Sequence, residues 1–280
     1  MSQDQDIATT PPKELGDATA MAHAAAQFLT KAGRANLTAA PDDSHSNLGW
    51  DSGSQRFLSH PLPGANGDVF ITLSLDPFEL ALVDSATGTT NYSLAGHSLA
   101  ETTTWLDDAL GSVALTPCGN VELPYALPPE VAAVAEFSDT IGLATLAAWF
   151  GLANKSLERL AADQSGLTPG PSPVRCWPHH FDIATYVSLE SGDAETTEGI
   201  GVGMSPGDGS YTQPYFYVNP WPHLDANTLP DAPVPGHWHT DGFVGAIATA
   251  DELLSADDTE KSLSGFLEKA FVVGYTKLMG

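Results

Sequence analysis

Val69-Phe-Ile-Thr-Leu-Ser-Leu75, Asp76-Pro77 and Phe78-Glu-Leu-Ala-Leu-Val83 read in order as strand, turn and strand. Val69, Ile71, Leu73 and Leu75 recur at every second position, the period of a strand with one face in a core. Phe78, Leu80 and Leu82 continue the period after the turn, so 69–83 is expected to form a hairpin and its sheet to be antiparallel. Downstream, Ser-Ala-Thr-Gly at 85–88 marks a turn and 89–94 a short strand. Ser98-Leu-Ala-Glu101 then fits a capping box that opens a helix to about Leu110. Upstream, Leu15, Ala18, Met21, Ala22, Ala25, Phe28 and Leu29 recur at steps of three and four, which predicts a helix over 15–33 with Gly33 as its stop. Residues 40–53 are rich in turn formers.

The second half repeats the theme. Pro117, Pro124, Pro128 and Pro129 make 117–136 the expected linker. A long helix is expected from Phe137 to Asp163 with Ser138 as cap, ended by the glycines and prolines of 165–173. Strands follow at 174–190, 199–205, 213–218 and 243–250, with a turn at Pro206-Gly-Asp-Gly209, and a helix at 259–278 closes the chain. Segregated strands and helices give an α+β class with antiparallel sheets. The organisation reads as a disordered tail (1–14), an N-terminal α+β lobe (15–116), the linker (117–136), and a long helix with a C-terminal α+β lobe (137–280). Each lobe has strands followed by a helix, a similarity that no residue-level repeat supports.

The chain has 280 residues and a formal net charge of −25, from 35 acidic residues against only 10 Lys and Arg. With no basic cluster to neutralise phosphates, nucleic-acid binding and anionic membrane surfaces are excluded as expectations, and a neutral or cationic small molecule is the expected partner. Cys118 and Cys176 form no CxxC and read as unlinked thiols of a reducing compartment. The N-terminus has no basic or apolar signal region, and Ile141–Ala153 is too short to span a bilayer. A cytoplasmic location is the resulting expectation.

Five of the nine histidines fall within 179–239, in Trp177-Pro-His-His-Phe-Asp182, at His223, and in Gly236-His-Trp-His-Thr-Asp241. If 174–190 is one strand, His180 and Asp182 share the face opposite Phe181, while His179 points with Phe181. An extended His237-Trp-His239 places both imidazoles on one side. His180, Asp182, His237 and His239 are therefore the candidate metal ligands, for zinc, iron, nickel or manganese. Asp241 would orient a ligand histidine. Tyr215, Tyr217, Trp221 and Trp238, with His179, would line the pocket. Gly203-Met-Ser205-Pro-Gly207 spells a nucleophile motif but lacks the strand–turn–helix setting that the motif requires. Cys176 beside His180 is a further nucleophile candidate. No glutamate follows His239 at the distance found in cupins.

The blocks WPHHFDIAT (177–185), GMSPGDGSYTQPYFYVNPWP (203–222) and GHWHTDGFVGA (236–246) resemble those of a family of uncharacterised bacterial proteins. DSHSNLGWD (43–51) is similar to the same family's N-terminal part, so the likeness runs from about residue 20 to the final helix. It implies no activity and no catalytic residues. Three readings therefore stand side by side: a metal-dependent enzyme acting on a small molecule, a non-catalytic binding protein with an aromatic and histidine pocket, and a structural protein with no active site.

Overall fold

The computed structural model describes residues 6–192 and 196–280 and has α+β architecture with two antiparallel sheets. The chain forms two compact units. The N-terminal unit comprises Leu15–Ala148 with Cys176–Phe181, and the C-terminal unit comprises residues 6–14, Trp149–Arg175 and Asp182–Gly280. Among the described residues, no helix is long and apolar enough to cross a membrane.

In the N-terminal unit, α1 (Gly16–Asn36) buries an alanine-rich face that includes Ala18, Ala22, Ala25 and Leu29. Its sheet contains β1 (Gly49–Asp51), β2 (Arg56–Leu58), β3 (Leu62–Gly64), β4 (Gly67–Leu75), β5 (Phe78–Asp84) and β6 (Gly88–Ser93). They are ordered β1-β2-β4-β5-β6, with β3 on β4. The expected hairpin is β4–β5, registered from Leu75 opposite Phe78 to Val69 opposite Asp84. α2 (Leu99–Ser112) starts on the expected capping box: Ser98 Oγ accepts the Glu101 N–H, and the Glu101 carboxylate accepts the Ser98 N–H at 2.8 Å. Such a cap contributes about 1 kcal/mol.

Three boundaries differ from the sequence reading. The proline-rich segment 117–136 lies within the N-terminal unit. Asp107 Oδ1 accepts the N–H groups of Cys118 at 2.7 Å and Gly119 at 3.0 Å. Val131, Val134 and Phe137 are buried around α3 (Pro129–Ala132). Its prolines stiffen a packed segment instead of loosening a tether, and the division between the units falls inside α4 (Leu143–Asp163), after Ala148. Of the expected disordered tail, residues 6–14 bury Ile7, Thr10 and Pro12, and Lys13 pairs with Asp251 at 2.5 Å; residues 1–5 lie outside the described residues.

The third difference concerns 174–190, which is not one strand. β8 (Arg175–Trp177) ends in a turn in which the His180 and Phe181 N–H groups donate to the Trp177 carbonyl at 3.2 and 2.7 Å. Phe181 has φ +59, left-handed for a bulky residue. Its fully buried ring stacks on His23 (centroids 5.0 Å apart, 7° between planes) and contacts Phe57 at 5.5 Å. Burying a phenyl ring stabilises by about 1.5–3 kcal/mol, enough to offset a left-handed backbone cost of about 1–2 kcal/mol.

The C-terminal unit's sheet runs β12 (His237–His239), β13 (Gly245–Thr249), β11 (Tyr215–Trp221), β10 (Gly199–Ser205), β9 (Asp182–Ser188) and β7 (Gly170–Pro171). α5 (Ala250–Leu254) continues from β13, and α6 (Thr259–Met279) covers one face of the sheet with Leu263, Phe266, Ala270 and Phe271. A Cβ at Gly274 of α6 would meet Pro220 of β11 at 2.8 Å, so Pro220 faces that helix. Strand alternation turns Phe216 and Val218 the same way, and turns Tyr215 and Tyr217 to the opposite face.

Candidate functional site

That opposite face carries a cluster of phenols, imidazoles and carboxylates. Gly203 of β10 is opposite Tyr217 of β11, and any side chain there would collide with the Tyr217 phenol. The bare backbone gives the ring room to lie over β10 and donate its O–H to Asp182 Oδ2 at the start of β9, at 2.5 Å. Tyr215 donates to Asp208 Oδ2 at 2.7 Å. Tyr211, in the turn before β11, lies 4.8 Å from Tyr215 between ring centroids, and Tyr215 lies 6.3 Å from Tyr217.

Tyr211 is also where the two histidines of β12 meet. The extended His-Trp-His does place both imidazoles on one side: His237 Nε2 and His239 Nδ1 each stand 2.9 Å from the Tyr211 hydroxyl oxygen. The outer nitrogens are held as well. His237 Nδ1 is 3.0 Å from Glu252 Oε1. His239 Nε2 is 2.6 Å from the Asp241 main-chain oxygen. Glu252 is positioned by the first turn of α5, where its other oxygen accepts the Thr249 N–H and hydroxyl, both at 2.8 Å. Burial raises the Glu252 pKa, but the bonds from Thr249 and His237 outweigh it and hold the carboxyl below its usual range.

Proton counting along this chain leaves a deficit. A carboxylate and a carbonyl only accept, so His237 Nδ1 and His239 Nε2 must each carry a hydrogen. Tautomers assigned this way from their partners leave two imidazole lone pairs aimed at one phenol oxygen, which has a single hydrogen to give. One of the two 2.9 Å contacts is therefore lone pair against lone pair unless a positive charge is added. Burial, then the charges of Glu252 and Asp208, push the Tyr211 pKa up, so the group is a phenol in the absence of a cation. Burial, then the bond to Asp208, does the same to Tyr215.

The expected site residues are distributed as follows. Asp182, His237, His239, Tyr215 and Tyr217 belong to this C-terminal cluster. Asp241 contributes its main-chain oxygen, not the carboxylate expected to orient a histidine. Trp238 Nε1–H donates to the Pro230 carbonyl at 2.9 Å, and Trp221 is exposed, edge-on to His223 at 5.1 Å. His179 and His180 belong to the N-terminal unit, their rings 4.3 Å apart, with Tyr125 5.8 Å and Trp177 6.2 Å from His179. The turn at 178–181 resets strand alternation between His180 and Asp182, so the face they were expected to share does not form. Among the described residues, no three His, Cys, Asp or Glu side chains form a group that could hold a metal ion.

Sequence reasoning missed three members of the cluster as site residues: Tyr211, Asp208 and Glu252. Thr249-Ala-Asp-Glu252 spells a capping box, which was the available signal for Glu252. Of the nucleophile candidates, Ser205 is buried and accepts the Gly207 N–H at 3.2 Å in a turn that leads to β11. Cys118 and Cys176 are buried and not joined in a disulfide, with burial and then Asp107 pushing the Cys118 thiol up to about 12. A groove of about 330 Å³ between α4 and α6, lined in part by Arg159, Leu160, Ser264 and Phe271, includes none of the cluster. Comparison with protein-family models, with curated proteins and with solved structures finds no match.

Proposed function

We propose that the C-terminal unit is a metal-dependent enzyme acting on a neutral or cationic small molecule, with the ion held by His237 Nε2, His239 Nδ1 and the Tyr211 oxygen. One observation carries this reading: two imidazoles, each with its outer nitrogen fixed by an acceptor, aim their inner lone pairs at one phenol oxygen. Acceptors behind both histidines are the arrangement that orients metal-ligating imidazoles and raises their basicity. Two donors about 2.05 Å from a common ion stand about 2.9 Å apart at the right angles of a six-coordinate site and about 3.3 Å apart at tetrahedral angles, so the 2.9 Å contacts would open slightly around a four-coordinate zinc. An ion beside the oxygen would displace the phenol hydrogen and supply the missing positive charge.

One phenolate and two imidazoles suit zinc, iron, nickel or manganese. The remaining positions of such an ion would take water or substrate, to activate the one or polarise the other. The partners of the tyrosines and histidines here are carboxylates and carbonyls, which favours neutral or cationic substrates over anions. Two of the four expected ligands are not carried into this set: His180, which lies in the turn before β9, and Asp182, whose Oδ2 accepts the Tyr217 hydroxyl.

Titration of tag-free protein with each of the four metals, followed by calorimetry and metal analysis, tests the reading. Near-stoichiometric binding is expected, lost in Tyr211→Phe, with a visible phenolate charge-transfer band when ferric iron is used. Less than about a tenth of an equivalent bound after supplementation would leave a proton as the charge that completes the chain and end the proposal.

A further inference from the structure

On the face that bears the tyrosines, the interior strand β10 carries glycine at every position from Gly199 to Gly203. Two of these glycines have a reason within the chain. A side chain at Gly199 would collide with the phenol of Tyr186 from β9, and one at Gly203 with that of Tyr217 from β11. Both are buried under those rings, whereas Gly201 between them is only half-buried. A Cβ at Gly201 would make ordinary contacts, 3.6 Å from the Asn219 main-chain oxygen and 3.9 Å from Tyr186 Cδ2. Its chain neighbours aside, nothing else among the described residues comes within 4 Å. Glycine weakens the interior of a strand, and where no neighbour forbids a side chain it marks a place that a ligand approaches closely.

An unpaired amide borders the same gap. Gly201 is registered opposite Asn219 of β11 on one side and Tyr186 of β9 on the other. Directly opposite residues hold their Cβ positions about 5 Å apart on one face. Asn219 therefore shares the face of Tyr217, and the exposed Trp221 is the next residue along it. Asn219 Oδ1 is buried, yet no group among the described residues hydrogen-bonds it. Buried polar atoms are almost always paired, and one that is not calls for a partner from outside the chain. The glycine keeps the volume open, and the amide lacks what an occupant would supply.

We infer that this gap binds a neutral sugar ring, seated on Gly201 between Tyr186, Tyr217 and Trp221 with a hydroxyl on the Asn219 amide. The lining sets the class. Tyrosine and tryptophan offer flat apolar faces that carry a polar group, suited to the C–H surfaces of such a ring. The Tyr186 hydroxyl already donates to the Thr197 carbonyl at 3.0 Å, and the Tyr217 hydroxyl to Asp182, so both keep only lone pairs for a ligand. A sugar hydroxyl both donates and accepts, and serves those oxygens and either end of the amide. Counter-charge is lacking. β9, β10 and β11 contain no lysine or arginine, and their one carboxylate, Asp182, is held by Tyr217 and stands about 13 Å along β9 from Tyr186. Neither an anion nor an ammonium is matched at Gly201. The inference does not rest on a metal at the β12 histidines.

Saturation-transfer NMR and calorimetry of chelator-treated protein test it, with D-glucose, D-galactose, D-mannose, N-acetyl-D-glucosamine and myo-inositol as probes and acetate and methylamine as charged controls. Binding of at least one neutral ring at millimolar concentration is expected, and of neither control. Asn219→Ala should weaken it about tenfold, the loss of one hydrogen bond. Gly201→Val, a residue that strands favour, fills the gap and should abolish it. Gly201→Ala, whose methyl meets only ordinary contacts, should fold as wild type by circular dichroism and still bind more weakly. A wild-type chain that binds none of the five rings overturns the inference, as does preference for methylamine or acetate. Binding that all three variants leave unchanged places the sugar elsewhere and overturns it too. So does binding that appears only with added metal, which would belong to the histidines.

Discussion

His23 should make the stability of the N-terminal unit fall between neutral and mildly acidic pH. Its side chain is 3% exposed, stacked on Phe181, and its Nε2–H donates to the Pro178 carbonyl at 2.7 Å. Burial, helped by His180 and His179 and opposed by the Pro178 bond and Glu130, lowers its pKa from 6.5 to about 4. The folded chain therefore keeps His23 neutral where the unfolded chain takes up a proton. The stabilisation is complete above the unfolded value of 6.5, is lost as pH falls towards about 4, and does not change further below that. At 1.36 kcal/mol per pKa unit, the full effect is about 3 kcal/mol, of which about 2 kcal/mol falls between about pH 7 and pH 5. The clean perturbation is His23→Gln, which keeps a neutral donor for Pro178 but cannot ionise. Urea unfolding of wild type and variant at the two pH values, followed by tryptophan fluorescence, gives the comparison. The variant should lose about 2 kcal/mol less than wild type on acidification. Equal losses in the two proteins would refute the argument that burial holds this imidazole neutral.

Three further outcomes are expected. On the proposed metal site, Glu252→Gln, which weakens the hold on His237 while leaving His237 Nε2, His239 Nδ1 and the Tyr211 oxygen in place, should cost about 10–100-fold in metal affinity by calorimetry. Gly203→Ala should destabilise by about 1–3 kcal/mol in urea, because the new methyl collides with the Tyr217 phenol and the Ile183 carbonyl; wild-type stability would contradict the tight lane across β10. Ser98→Ala should cost about 1 kcal/mol, read by thermal or urea unfolding, through loss of the α2 cap.

The legible parts of the sequence were those where a local period meets one solid face. The hairpin at 69–83, the box at Ser98 and the shared side of His237 and His239 all follow from spacing of two or three residues. What was misread depended on partners distant in sequence. Phe181 fits the alternation of a continuing strand by its chemistry, yet its ring is fixed by His23 and Phe57, and the backbone turns to satisfy them. The prolines of 117–136 carry no sign that Asp107 will hold Cys118 and Gly119. Glu252 is recognisable as a cap, but that its second oxygen is left for His237 is a property of β12 lying beside β13.

The two oxygens of Glu252 serve different masters, one fixing the start of α5 and the other an imidazole. On the proposed metal site, winding of that helical turn and occupancy at the phenol would be linked, and thermodynamic reciprocity would make the link run both ways. Whatever settles on Tyr211 should slow amide exchange at the head of α5, and fraying there should loosen the grip on what has bound.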